Sequence, residues 1–258
     1  MTNDDTHLAF ENSEVAGTGG GPRGALLRAP PPRARPRVAA PHPAARRAAT
    51  PAAATHLAFA TSDGAGRGGG PLGALLRAAA AGAVPLVAAT DDSALGSSTP
   101  CSEYDVRDLL NHLFAVVVQF QALAAKGGAD FSTTPDRLAE PDWRERFAVE
   151  TGKLVEAWAA PGAEEGTSGA MGMPARTVGA MALLDLTVHA WDLARATGRE
   201  FEPDPEVVAG LVDEVEEMAP MARKMNVFGD AVELQAGASV FERLLATTGR
   251  DPRVRPTD

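Results

Sequence analysis

The chain has 258 residues, of which 45% are hydrophobic and 22% are charged, and this composition suits one or two globular domains. Its formal net charge of −10 argues against a general nucleic-acid-binding protein, because binding to the phosphate backbone requires a cationic face. Apolar runs of only about ten residues predict that no helix spans a membrane. The first residues are acidic and polar, unlike a secretory signal, and the single cysteine, Cys101, cannot form an internal disulfide. We therefore expect a cytoplasmic protein that binds neither nucleic acid nor membranes.

The first part of the chain has a biased composition. Residues 30–54 are almost wholly Pro, Ala and Arg, and the segment 6–29 recurs as 55–78 with 18 of 24 positions identical. Such a composition buries too little apolar surface to offset the conformational entropy lost on folding. We predict a largely disordered N-terminal extension over residues 1–70, a folded domain over residues 71–252 and a short tail over residues 253–258.

Apolar residues recur at helical spacing through the rest of the chain. They predict helices over residues 72–90, 104–126, 142–159, 176–197, 205–224 and 239–248, whereas residues 231–234 are the one candidate strand. Pro85 is expected to kink the first helix or to end it early, and Ser102 and Ser239 are expected to cap the second and the last helix. The predicted fold class is all-α, a four-helix bundle with additional C-terminal helices.

Two histidines and one carboxylate stand out in this helical part. His112 and His189 are its only histidines, and each lies in the middle of a predicted helix, on the apolar face. Asp185 precedes His189 by one turn and shares its face. An unpaired buried carboxylate would cost several kcal/mol, so Asp185 requires a partner. That partner is either His189, in a plain hydrogen bond, or a divalent metal to which His112 is the third ligand; two imidazoles and one carboxylate would leave coordination positions open.

Several neighbours of these residues have two interpretations. Asp108 and Asp192 are placed to accept a hydrogen bond from the distal nitrogen of a ligand histidine. Alternatively, Asp108 is a helix-start charge and Asp192 forms an ion pair with Arg195. Trp191 and Arg195 are candidates for the mouth of a pocket, although Trp191 also suits the core. Cys101 is far in sequence from any histidine of the helical part, which favours a structural role.

Three separated segments resemble a known family. They are TPCSEYDVRDLLNHL (99–113), LLDLTVHAWDLARATGREFEPDPE (183–206) and VFGDAVELQAGASVFERLLATTGRDP (227–252). Together they resemble the actinobacterial metal-binding proteins related to mycothiol-dependent maleylpyruvate isomerase, within the DinB-like four-helix-bundle superfamily. The resemblance extends over about residues 72–252 and leaves residues 1–70 outside it.

The resemblance implies a four-helix bundle that holds a divalent metal through His112, Asp185 and His189. The metal is zinc in the isomerase, and iron, nickel and manganese also accept such ligands. The isomerase has Glu where this chain has Asp185, and it has a separate C-terminal domain that the short segment after this bundle does not match. The lack of a match to that C-terminal domain places maleylpyruvate itself in question as the substrate.

The implied activity is that of an isomerase or a thiol S-transferase. A small electrophilic substrate and a low-molecular-weight thiol, mycothiol, would be its partners. Two other hypotheses stay open: a thiol-independent hydrolase or lyase that uses metal-bound water, and a metal- or ligand-binding module without turnover. Both a monomer and a homodimer are compatible with the sequence.

Overall fold

The computed structural model describes residues 71–170 and 172–253, so the predicted disordered extension over residues 1–70 lies outside the described residues. The described part is helical, with one short hairpin, and confirms the all-α fold class. Its elements are α1 (Pro71–Ala88), α2 (Val106–Ala124), α3 (Trp143–Ala159), β1 (Thr167–Ser168), β2 (Met173–Pro174), α4 (Ala175–Ala196), α5 (Pro205–Lys224) and α6 (Val240–Thr247).

The first four helices form a bundle. Helix α1 packs against α3 and α4, and α2 packs against the same two helices, so that α1 and α2 lie diagonally across the bundle. The space between them is filled by apolar side chains such as Leu76, Leu113, Leu154 and Leu183, none of which is exposed. Helix α5 packs against α1 and α4, and α6 packs against α5. The C-terminal helices therefore cover one side of the bundle, next to α4.

Helix α4 is the most deeply buried element of the bundle. Seventeen of its 22 residues are buried, because α1, α2 and α5 each cover part of its surface. Gly179 permits the close approach to α1 and α3: a Cβ atom there would overlap Leu72 and would lie 2.8 Å from the Trp158 ring. Polar side chains on α4 thus lie in a largely dry environment, where each requires a partner.

The helix boundaries differ from the sequence prediction at two places. Helix α1 continues through Pro85 to Ala88, so Pro85 does not end it early. The cap of α2 is Asp105 and not Ser102, because Asp105 Oδ1 accepts a hydrogen bond from the Asp108 amide at 2.9 Å. A bridge between Ser98 and Asp105 closes a turn over the residues between them, so the helix begins only after Asp105. The predicted Ser239 cap is confirmed as a capping box with Glu242.

The predicted strand over residues 231–234 does not form. The Val232 amide donates to the Ala246 carbonyl at 3.0 Å, a backbone bond to the end of α6 in place of a strand ladder. Instead, β1 and β2 pair antiparallel in the connection between α3 and α4, which the sequence did not indicate. Each has only two residues, too short a run for an alternating pattern to be recognised.

Within the described residues, α1 is the one helix that is long and apolar enough to cross a membrane, with a mean hydropathy of 1.5. Eight of its residues are buried, and that face packs against α3 and α4. A helix in the core of a bundle has the same composition, so we interpret α1 as a core helix.

Candidate metal centre

Three side chains with metal-binding atoms converge between α2 and α4. His112 comes from α2, and Asp185 and His189 come from successive turns of α4. All three are buried, and one nitrogen or oxygen atom from each lies within 4.8 Å of the other two. The convergence follows from the sequence pattern, because α2 and α4 are neighbours and the i, i+4 spacing places Asp185 and His189 on one face.

The distances within this cluster are too long for hydrogen bonds. Asp185 Oδ1 lies 3.6 Å from His112 Nε2 and 3.5 Å from His189 Nε2. Among the described residues, neither oxygen of Asp185 has a hydrogen-bond partner, and neither has His112 Nε2. Ligand atoms bound tetrahedrally to one ion at ~2.1 Å lie about 3.4 Å from one another. The cluster therefore fits a divalent metal better than a plain Asp–His hydrogen bond.

The protonation states also suit metal ligands. Burial lowers the pKa of His112, so its imidazole is neutral at neutral pH. Burial alone would raise the pKa of Asp185, but the facing imidazoles of His112 and His189 hold it below its ordinary value, so the side chain is a carboxylate. Burial opposes the charged form of His189, whereas Asp185 and Asp192 raise its pKa above the ordinary value. A metal ion would have to displace the proton that these carboxylates favour on His189.

Asp192 holds the distal nitrogen of His189. Its Oδ2 lies 2.9 Å from His189 Nδ1, which is the hydrogen bond predicted from the i, i+3 spacing. Asp192 is fully buried and forms an ion pair with Arg250, at 3.0 Å between Oδ2 and Nη2. Burial raises the pKa of Asp192, but Arg250 and His189 together hold it below the ordinary value. Asp192 is thus an ionised acceptor at neutral pH.

Tyr104 covers the two histidines. Its ring stacks on His112, with 5.2 Å between ring centroids and 29° between planes, and meets His189 edge-on at 6.1 Å. Its hydroxyl is buried and has no hydrogen-bond partner among the described residues. Burial is the main reason that the pKa of Tyr104 is raised, so the hydroxyl stays protonated. Tyr104 therefore adds another unsatisfied polar group to the cluster.

A cavity of about 280 Å³ reaches two of the three cluster residues. Its walls come from the segment before α2, from α4 and from the two segments that follow α5 and α6. The lining residues are Pro100, Cys101, Ser102, Glu103, Leu184, Asp185, Val188, His189, Asn226, Val227, Phe228, Gly229, Thr248, Gly249 and Arg250. This volume lies near the lower end of the range for small-molecule sites.

Three of the predicted site residues lie away from this cavity. Asp108 is exposed in the first turn of α2. Trp191 and Arg195 line a separate cleft beside the starts of α5 and α6, so they do not form the mouth expected for them. For Trp191 the reason is helical geometry: a residue two positions after His189 points about 200° away around the helix axis.

Two residues that contact the cluster were missed in the sequence analysis. Tyr104 is the first residue of the helix predicted over residues 104–126, but α2 begins only at Val106, so helical periodicity does not place the Tyr104 ring. Arg250 lies 58 residues after Asp192, and no local pattern connects the two. Cys101, interpreted from sequence as structural, lies on the cavity wall, and burial raises its pKa to about 11.

Residues 76–194 match the family model described as the mycothiol maleylpyruvate isomerase N-terminal domain. The match covers α2 and α3 completely and α4 as far as Ala194, and with them all three residues of the cluster. No curated protein and no solved structure was found to match the chain. The match confirms the resemblance seen in the sequence: residues 76–194 are similar to the mycothiol maleylpyruvate isomerase N-terminal domain family, which is DinB-like.

Proposed function

We propose that this protein is a divalent-metal-dependent enzyme of the mycothiol-dependent isomerase or thiol S-transferase type. Its substrates would be a small electrophile and a low-molecular-weight thiol. The observation that carries the proposal is the convergence of His112, Asp185 and His189, with unsatisfied atoms on His112 and Asp185, beside a small cavity that Asp185 and His189 line. The family of residues 76–194 supports the thiol.

Each residue of the cluster has a distinct part in this proposal. His112 and His189 would present Nε2, and Asp185 one carboxylate oxygen, to zinc, or to iron, nickel or manganese. The bound metal would lower the pKa of a thiol ligand or polarise a carbonyl oxygen. Asp192 fixes the His189 ring by accepting from Nδ1, and the Tyr104 ring shields His112 from water.

The buried charges favour an anionic ligand once a divalent cation is bound. Asp185 and Asp192 are buried carboxylates, and Arg250 is the cation that faces them. These three groups carry a net charge of −1, which a divalent cation changes to +1. A thiolate would neutralise that charge in a site of low dielectric constant, where the interaction is screened less than in water. Glu103 also lines the cavity, but it is exposed, so solvent screens its charge more than the charges of the buried carboxylates.

The nucleophile in this proposal comes from the bound thiol and not from the chain. Cys101 is the only cysteine, and its pKa of about 11 keeps it protonated at neutral pH. A protonated thiol is a poor nucleophile. The cavity of about 280 Å³ would accept the reacting end of a small thiol together with a small electrophile.

The test uses the full chain loaded with cobalt, whose spectrum reports on thiolate coordination. Adding mycothiol should produce a thiolate-to-cobalt absorption band, and mycothiol with an activated alkene such as maleylpyruvate should give an isomer or an S-conjugate. His112→Ala should lose both the band and the product, whereas Trp191→Phe, outside the cavity, should keep both. Turnover that persists without any thiol would contradict the proposal in favour of a hydrolase or lyase. Saturable binding without product would contradict it in favour of a binding module.

A further inference from the structure

The cleft beside the starts of α5 and α6 presents an open apolar surface. Its volume is about 980 Å³, against about 280 Å³ for the cavity at the metal centre. Three aromatic side chains line it, Trp191, Phe201 and Phe241, and the last two meet edge-to-face with 6.4 Å between ring centroids. Val240 is also in the lining, and its exposure of 44% is unusual for a large hydrophobic side chain in the described part of the chain. The described residues therefore leave apolar surface uncovered here.

Carboxylates surround this apolar surface. The acidic side chains in the lining or beside it at the start of α5 are Glu200, Glu202, Asp204, Glu206 and Glu242. Glu200 and Glu202 are exposed, whereas Glu242 also forms the capping box of α6. The cations of the lining are Arg195 and Arg199, so carboxylates exceed guanidinium groups. Aromatic rings among an excess of carboxylates suit a partner that combines apolar groups with positive charge.

The chain itself contains a segment with this chemistry, outside the described residues. Residues 15–62 hold seven arginines and no aspartate or glutamate, whereas residues 71–253 hold 15 basic and 28 acidic residues. Three of these arginines lie among four prolines in PPPRARPR (30–37). Proline-rich segments dock in aromatic-lined grooves, and arginine both stacks on aromatic rings and pairs with carboxylates. The segment 30–37 therefore complements the cleft in apolar character and in charge.

The segment is long enough in its connection to reach the cleft. Arg199, in the lining, donates from Nη2 to the Ala89 carbonyl, directly after the end of α1. The cleft thus lies near that end, about 27 Å along the helix axis from Pro71. Residues 38–70 separate the segment from Pro71, and an extended chain of that length would cover up to ~110 Å. The connection therefore exceeds the distance several times.

We propose that this cleft is the docking site for residues 30–37 of the same chain, the proline- and arginine-rich part of the N-terminal extension. In a polyproline II helix, with three residues per turn, Pro30, Arg33 and Pro36 would share one face. That face would bring proline rings onto the aromatic side chains of the cleft and a guanidinium group to its carboxylates. No ligand of the candidate metal centre takes part, so this docking is independent of the proposed function.

The first test is photo-cross-linking within the full chain at low protein concentration. A benzophenone amino acid replaces Ala34, which lies between two arginines, and mass spectrometry locates the cross-links after irradiation. We expect intramolecular cross-links to residues 199–205 and 239–242. The matched control carries the same group in place of Ala53, which is nearer to Pro71 in sequence but has no arginine beside it. It should give few cross-links to the cleft.

The second test reverses charges on both sides of the contact. Glu200→Lys combined with Glu202→Lys should lower the cleft cross-links from residue 34 by roughly fivefold or more. Adding Arg33→Glu and Arg35→Glu to that variant should restore a large part of them, because each pair of charges is again opposite. Circular dichroism checks that the helical content of every variant equals that of the parent.

A further pair of substitutions controls for general charge effects. Glu216 and Glu217 are exposed on α5 but do not line the cleft. Glu216→Lys combined with Glu217→Lys changes the net charge by the same amount, and it should leave the cross-links from residue 34 unchanged.

Three results would overturn the inference. Cross-links from residue 34 could be as scattered as those from residue 53, or they could persist unchanged when Glu200 and Glu202 are reversed. Cross-links found only between two chains would also overturn it, because the cleft would then bind the segment of a second copy.

Discussion

The Nε2 atom of His112 lies 3.6 Å from Oδ1 of Asp185 across the contact between α2 and α4, and the two atoms make no hydrogen bond. Both atoms are buried, and neither has another partner among the described residues. An unprotonated imidazole nitrogen and a carboxylate oxygen both offer lone pairs, so a cation between them would stabilise their close approach. The separation of these two atoms therefore fits a metal-binding site better than a hydrogen-bonded core pair.

Replacing Asp185 with Asn should abolish metal binding and, at alkaline pH, should stabilise the metal-free protein. Above the raised pKa of His189 both imidazoles are neutral and no longer compensate the buried carboxylate, whereas the Asn side chain carries no charge and can donate to His112 Nε2. We expect a gain of about 1–3 kcal/mol in the free energy of unfolding, measured by urea denaturation at alkaline pH. The matched control is Asp192→Asn, which leaves Arg250 with a weakened partner and should destabilise, by up to about 3–5 kcal/mol. Equal losses of stability in both variants would contradict this interpretation of Asp185.

Replacing Tyr104 with Phe should also stabilise the metal-free protein. The substitution keeps the ring that stacks on His112 and removes a buried hydroxyl with no hydrogen-bond partner among the described residues. An unsatisfied hydroxyl costs about 1–3 kcal/mol, so the free energy of unfolding should rise by up to that amount. Urea denaturation at several temperatures measures this free energy of unfolding. A loss of more than about 1 kcal/mol would show that the hydroxyl makes a hydrogen bond in the folded protein.

Two glycine-to-alanine substitutions should have opposite effects. A Cβ atom at Gly179 would overlap Leu72 and approach Trp158, so Gly179→Ala should destabilise the bundle by about 1–3 kcal/mol. At Gly152, in the interior of α3, a Cβ atom would meet nothing within 4 Å. Gly152→Ala should therefore raise stability by roughly 0.5–1 kcal/mol through helix propensity. Thermal unfolding of both variants beside the parent tests the pair, and a stabilising Gly179→Ala would disprove the close contact of α4 with α1 and α3.

The reactivity of Cys101 should depend on pH in a predictable way. Burial raises its pKa from 9.0 to about 11, and only the thiolate reacts with iodoacetamide. Alkylation of the folded protein should therefore be slow at neutral pH and should rise until the pH passes about 11, whereas the urea-unfolded chain should level off near pH 9. Mass spectrometry measures both rates at the single cysteine. A folded protein that levels off at pH 9 or below would contradict the buried environment of Cys101.

The sequence was sufficient for the parts of the site that depend on helical periodicity. The spacing of Asp185 and His189, and the place of His112 on the apolar face of its helix, predicted the cluster because side-chain direction within a helix is fixed by local geometry. The same geometry shows why Trp191 and Arg195 were misplaced: they are close to His189 in sequence but lie on another side of α4.

The remaining parts depend on contacts between distant segments. Arg250 reaches Asp192 only because α6 packs on α5 and the following turn crosses the loop at Gly229. Tyr104 covers His112 because the Ser98–Asp105 bridge turns the chain back before α2 begins. No periodicity encodes either arrangement, since each is decided by tertiary packing.

The zinc stoichiometry of the untagged full chain, measured beside its His112→Ala variant, tests the three-residue metal site most directly. Both proteins would be stripped with a chelator, incubated with zinc, and analysed for bound metal and for helical content. We expect about one equivalent of zinc in the parent and a large loss in His112→Ala, with both proteins folded. Equal zinc content in the two proteins, or none in a folded parent, would contradict the three-residue site.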